Sequence, residues 1–171
     1  MNTRVSFALT IALLLVVQAT TSIVRAQPSP EQKKLDYFVG KWKADLDIKA
    51  TATTAALKAS GTEDCESFAN LHVVCRSELT GGTGLYKAMR TFSYVPALKQ
   101  YSSYTVDSLG YAVLTLGTVQ GDTWTFTTEA GGYKTRTTMK TTKDGYTAAA
   151  EYAGPDGKWT PSSTSKFTRM K

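Results

Sequence analysis

The sequence predicts an all-β fold: a single antiparallel up-and-down β-barrel of about ten strands, preceded by a short N-terminal helical turn. Three observations carry this expectation. From Gly40 onward Thr, Tyr, Val and Ala dominate, and apolar and polar residues alternate with the period of a half-buried strand. Turn residues recur about every ten positions, at Gly81-Gly82, Gly110, Gly121-Asp122, Gly131-Gly132, Asp144-Gly145 and Asp156-Gly157. No long segment shows the period of an amphipathic helix. A meander of this length does best by closing on itself, because closure removes exposed strand edges.

The first 26 residues have a different character. Arg4 makes the start positive, Phe7 to Val17 is an uncharged, mostly apolar run of 11 residues, and Val24-Arg25-Ala26 sets small residues where a signal peptidase reads. A membrane span needs about 20 apolar residues, so the run is too short. Residues 1–26 are therefore expected to be a cleaved signal peptide and residues 27–171 one barrel domain, periplasmic or secreted and free of the membrane after cleavage. The chain carries +6; loss of Arg4 and Arg25, with no acidic residue, leaves +4. That charge is spread without a basic patch, so nucleic acid is not an expected partner.

Strands are expected near 40–49, 56–66, 72–79, 84–94, 99–107, 110–118, 122–129, 133–141, 146–153 and 162–170. Glu31 to Phe38 is expected to make one or two helical turns with Leu35 and Phe38 inward. Export makes a disulfide the default for the two cysteines, Cys65 and Cys75. If they face one another across a hairpin, Asp64 falls opposite Arg76, Glu66 opposite Val74 and Ser67 opposite Val73, leaving Ala69-Asn70-Leu71 as the loop. Cys65, Val73, Cys75 and Leu79 then face the core; Asp64, Glu66, Arg76 and Glu78 face water, with an Asp64–Arg76 ion pair. Directly opposed residues lie within disulfide range.

Alternation also sorts the other strands. Trp42, Ala44, Leu46 and Ile48 share the core face of the first strand, opposite Lys41, Lys43, Asp45 and Asp47. Trp124 and Phe126 face away from Thr123, Thr125 and Thr127. Tyr133, Thr135, Thr137 and Met139 oppose the charged set Lys134, Arg136 and Lys140, which must be outside. Tyr86, Ala88, Arg90, Phe92 and Tyr94 also share a face. Either that face is inside and puts an arginine in the barrel, or its aromatics lie on the surface. An inward Arg90 suits a carboxylate, which guanidinium binds bidentately.

Phe38-Val39-Gly40-Lys41-Trp42 resembles the Gly-x-Trp start of lipocalins and their calycin relatives. The resemblance implies that Trp42 closes the narrow end of a barrel against a basic residue of the last strand, here Lys166 or Arg169. More closely, the chain resembles a bacterial exported family named domain of unknown function 1579. The residues that carry the likeness are Leu35 to Trp42, the Cys65–Cys75 hairpin, Tyr94-Val95-Pro96 with Tyr101, and Gly121-Asp122-x-Trp124-x-Phe126. The family implies a lipocalin-like barrel and no particular reaction.

No convincing catalytic set appears. His72 is the single histidine and falls outward beside a turn. Oxidised Cys65 and Cys75 are inert as nucleophiles. Glu63 shares the inward face with Cys65 and, alongside tyrosine residues, is a candidate general acid or base of a cavity enzyme. Two cysteines and one histidine are too few for a zinc site, and no cofactor is implied. Related small barrels bind haem through a histidine on a late strand; here none follows His72, which leaves Met139 and tyrosines as candidate iron ligands. A ten-strand barrel is wide enough for a cavity. The expected function is binding of a small hydrophobic or amphipathic ligand, anionic where Arg90 faces inward, by Trp42, Arg90, Phe92, Trp124, Phe126 and Met139. The alternative is a structural or interaction module with a dry interior and an exposed patch of Tyr101, Tyr104 and Tyr111. The oligomeric state is not legible.

Overall fold

The computed structural model describes residues 27–50, 55–82 and 84–171. The expected signal peptide lies outside the described residues. Chain entry is a single helix-like segment, Pro30–Lys33 as α-helix (α1) continuing as a 3₁₀ turn over Lys34–Phe38. Ser29 starts it with a capping box: its hydroxyl accepts from the Gln32 amide, and the Gln32 side chain accepts from the Ser29 amide at 2.7 Å. Leu35 and Phe38 are buried, as their spacing predicts.

Ten strands follow: β1 (Gly40–Ile48), β2 (Leu57–Phe68), β3 (His72–Gly81), β4 (Gly84–Val95), β5 (Gln100–Asp107), β6 (Ala112–Gln120), β7 (Thr123–Ala130), β8 (Tyr133–Thr141), β9 (Gly145–Ala153) and β10 (Trp159–Arg169). Each pairs antiparallel with its sequence neighbours, and β10 returns to β1, so the barrel closes. The up-and-down barrel predicted from alternation is the fold. The largest boundary difference is at β10, which begins at Trp159 rather than 162. Pro161 has no amide to donate, and the ladder absorbs it through a register shift between Pro161 and Ser163.

The β2–β3 hairpin has the expected register: Cys65 faces Cys75, Asp64 faces Arg76, and the two cysteines form a disulfide. Ala69 and Asn70 take positive φ in the three-residue loop. The expected Asp64–Arg76 ion pair is a correction. Arg76 reaches diagonally to Glu66, and Asp64 meets Lys41 of β1 at 3.7 Å. Long side chains on a twisted sheet reach the diagonal neighbour as easily as the direct one.

One end of the barrel is sealed. Phe38 stacks on Phe92 with ring centroids 4.7 Å apart, Trp42 meets Tyr146 edge-on at 5.2 Å, and Trp124 meets Tyr101 at 4.7 Å. The Trp42 indole donates to the Phe38 carbonyl at 2.9 Å, tying the helix to β1. Arg169, the register partner of Trp42, lies over its ring at 4.1 Å and donates to the carbonyls of Tyr37 and Val39. Of the two basic residues expected there, Arg169 closes the end, while Lys166 lies on the outer face beside Asp45. Gly40 has φ +132°, and a side chain there would sit 2.9 Å from the Arg169 guanidinium, so the closure needs glycine. Tyr101 is a second correction: it is 3 % exposed, not part of a surface patch. It occupies an inward position of β5, and its hydroxyl donates to the Glu31 carbonyl.

Replacing both cysteines with serine should lower unfolding stability by about 3 kcal/mol, the chain-entropy value for so short a loop. Denaturant titration checks this, and far-UV circular dichroism should remain that of the barrel.

Candidate functional site

Beyond the aromatic seal the barrel is not filled. A cavity of about 290 Å³ lies inside the barrel, lined by residues of inward phase together with Asp45, an outward residue of β1. Its apolar surface comes from Ala44, Leu46, Phe126, Met139, Ala148 and Phe167. Hydroxyls of Ser77, Ser103, Thr105, Thr115, Thr135, Thr137, Ser163 and Ser165 stud the rest. This mix follows from sequence: small and β-branched residues take the inward positions of β5 and β8 to β10, leaving space that larger side chains would occupy. Gly117 lets Phe126, its partner on β7, lie against the β6 backbone, where a Cβ would collide with the Phe126 ring and the Thr125 carbonyl.

Arg90 is the cation of this lining. It sits on β4 between Cys75 of β3 and Thr105 of β5, so the inward option for that strand is the one the fold adopts. Its guanidinium lies 5.6 Å from the Phe92 ring centroid. Among the described residues it has no hydrogen bond and no ion pair, and no buried side-chain nitrogen or oxygen lacks a partner, so its donors open onto the cavity. Burial works against its charge, but Glu63, Tyr146 and Tyr86 together hold its pKa above the ordinary value.

Glu63 lies behind the cavity wall, 0 % exposed. Ser77 donates to one carboxylate oxygen at 2.7 Å and Tyr146 to the other at 2.6 Å. The Cys65 sulfur is 3.7 Å away and, being oxidised, only packs there. With both oxygens occupied, Glu63 is one hydroxyl removed from the cavity. Burial and the nearby Glu63 push the Tyr146 pKa well above 10.0. Burial, with Asp107 as hydrogen-bond acceptor at 3.2 Å, raises that of Tyr86 to about 12 at the cavity edge.

Of the six residues proposed from sequence to touch a ligand, Arg90, Phe126 and Met139 line the cavity. Trp42, Phe92 and Trp124 pack within the aromatic seal beneath it. His72 lies at the sealed end, its ring nitrogen 2.7 Å from the Ser93 hydroxyl. Sequence reasoning missed Ser77, Tyr86 and Tyr146. Tyr86 shares the period-two face of Arg90; the meeting of Tyr146 with Glu63, 83 residues apart, leaves no local signal. A wider depression of about 740 Å³ lies over β1, β2 and β8 to β10, but Asp45, Asp47, Lys58, Lys140 and Lys166 line it from the outer face. Its charges meet bulk water, where they bind weakly.

Fold and sealed end together define a lipocalin-like β-barrel. The chain belongs to the family described as protein of unknown function DUF1579, whose sequence model matches residues 27–169. No curated protein matches the chain. Among solved structures it is similar to the S-type phycobiliprotein lyase CPES from Guillardia theta, with a TM-score of 0.59, 12 % identity, and coverage of 82 % of this chain and 93 % of that one. It is also similar to Rv2717c from M. tuberculosis, with a TM-score of 0.63, 9 % identity, and coverage of 85 % of this chain and 100 % of that one. Likeness at these identities is of fold alone.

Replacing Glu63 with Ala should cost about 2–4 kcal/mol, because two buried hydroxyls lose their acceptor; Glu63→Gln should cost less, and denaturant titration compares them. The raised tyrosine pKa sets a pH dependence. Tyr146 in the fold keeps its proton above 10.0, where the unfolded chain loses it. Stability is therefore full below pH 10 and falls as pH rises beyond it. Thermal unfolding followed across that range should show a falling midpoint, with the tyrosinate absorbance of Tyr146 appearing only as the chain unfolds.

Proposed function

We propose that this protein is an exported binding protein for a small amphipathic molecule with an acidic head, held in the barrel cavity and not chemically altered there. The observation that carries this reading is Arg90: the cation of a lining that, apart from Asp45 on the outward phase of β1, is apolar and hydroxyl-bearing, its donors turned to the cavity. A cation in such a place is costly unless something pairs with it. Glu63 balances its charge at a distance but spends its own hydrogen bonds on Ser77 and Tyr146. A ligand carboxylate would complete the arrangement, accepting from Arg90, while its carbon chain covers Phe126, Met139 and Phe167. The head is thus assigned to Arg90, and the aromatic residues Trp42, Phe92 and Trp124 are assigned to the floor rather than to ligand contact.

Export is supported by the disulfide, which persists in oxidising compartments, and by the signal-like pattern of residues 1–26. No helix among the described residues is long and apolar enough to cross a membrane. The interaction-module alternative requires a dry, filled interior, and the cavity argues against it.

Matched probes test the head-group assignment. Octanoate and octan-1-ol share a chain and differ in charge. Isothermal titration should show octanoate binding more tightly to the unaltered protein. Arg90→Gln should weaken octanoate by about tenfold or more, the scale of a lost charge-assisted hydrogen bond, while leaving octan-1-ol nearly unchanged. Equal affinities for the two probes, in both proteins, would remove Arg90 from the site.

A further inference from the structure

The barrel wall has one seam at which both neighbouring strands run on without pairing. β6 and β7 pair from Gln120↔Thr123 back to Leu116↔Thr127 and no further. In the same register the next partners would be Thr115 with Thr128, Leu114 with Glu129 and Val113 with Ala130, and among the described residues none of these pairs forms. Both segments remain strands. Val113 to Thr115 stays bonded to β5, and Thr128 to Ala130 stays bonded to β8. The wall is therefore parted toward the end opposite the aromatic seal.

A surface groove of about 610 Å³ lies over this seam, lined by Leu114, Leu116, Thr128, Thr135 and Trp159 among others. Thr135 points inward on β8 and also lines the interior cavity, so groove and cavity meet at that side chain. The groove offers apolar surface that has no cover: Leu114 is 55 % exposed. Trp159 at its far side is braced by Arg136, whose guanidinium lies 4.4 Å from the ring centroid and donates from two nitrogens to one carboxylate oxygen of Glu151.

The cavity alone is small. Its volume of about 290 Å³ lies at the bottom of the range found for pockets that enclose drug-sized ligands, roughly 300–1,000 Å³. A longer chain anchored at Arg90 has to leave the interior, and the seam is where the wall yields without breaking ladder hydrogen bonds. We propose that the ligand is a long-chain monoanionic amphiphile bound in two parts, its head at Arg90 inside the barrel and the distal part of its chain passing between β6 and β7 into the outer groove against Leu114, Leu116 and Trp159. This rests on the head-group reading above and adds a second, external subsite with its own specificity for chain length.

A series of unbranched carboxylates from octanoate to hexadecanoate, each below its micelle concentration, tests the two parts separately. Affinity should keep rising beyond octanoate, by up to about fourfold for each methylene that the groove covers. Leu114→Glu, a change on the outer face, should weaken hexadecanoate by about tenfold or more while leaving octanoate within about twofold. Should that variant fold poorly, the Leu114→Cys/Glu129→Cys protein closes the seam by a disulfide when oxidised. Oxidised, it should bind hexadecanoate no better than octanoate; mild reduction, with Cys65–Cys75 shown intact by thiol count, should restore the difference.

A plateau at octanoate, or a chain-length dependence that survives the closed seam, overturns the external subsite and leaves the head-group reading standing. Undiminished hexadecanoate binding by Arg90→Gln would mean adsorption to the surface and also overturns it. Failure of every carboxylate to bind the unaltered protein sinks the cavity reading itself, and the subsite with it.

Discussion

The sealing of one barrel end by interlocked aromatic rings is the constraint from which the rest of this structure follows. Phe38 and Trp42 arrive from the entry helix and the first strand, Phe92 and Trp124 from the middle of the chain, and Tyr146 and Phe167 from its last strands. Because those residues come from every part of the sequence, the seal forms only when the barrel is complete. Burial is concentrated at that end, each ring contributing a large apolar area. With the core supplied there, the opposite half of the barrel can leave its interior open and line it with alanine, serine and threonine. The cavity is thus a consequence of where the large side chains were placed, not a defect of packing.

The same arrangement explains why polar groups are tolerated so near the core. Glu63 and Arg90 form no ion pair, yet Glu63 helps to hold the charge on Arg90, and Glu63 itself is satisfied by Ser77 and Tyr146. Arg90 is the member of the group whose donors remain available to a guest. Buried polar networks of this kind fix side-chain geometry because any rearrangement strands a donor or acceptor in a low-dielectric setting.

Much of the architecture was legible because a closed meander writes itself locally. Period-two alternation and turn residues place all ten strands, and a single disulfide hypothesis sets the β2–β3 register. Legibility stops where the information is non-local. The face of Tyr86, Arg90 and Phe92 reads equally as surface or interior, and only closure decides between them. Tyr101 resembles the exposed Tyr104 and Tyr111 in sequence, and differs only because its inward phase meets the entry helix. Asp64 and Arg76 face each other as expected, but Arg76 reaches its diagonal neighbour Glu66 and Asp64 turns to Lys41, its direct partner on the other flanking strand, β1. The parted seam did leave a trace: Ala112-Val113-Leu114-Thr115-Leu116 is apolar on both faces, unlike strands that alternate cleanly. The cavity volume left none, since it depends on tilt and stagger that no single strand encodes.

The pairing of Trp42 with Arg169 brings the two ends of the folded domain side by side at the sealed pole. Anything joined to either end, whether a fluorescent label, a solid support or a neighbouring domain, is thereby held on the side away from the cavity. Such an attachment leaves the opposite half, with the parted seam and its groove, facing outward, so a surface-immobilised form keeps that groove accessible to the solution.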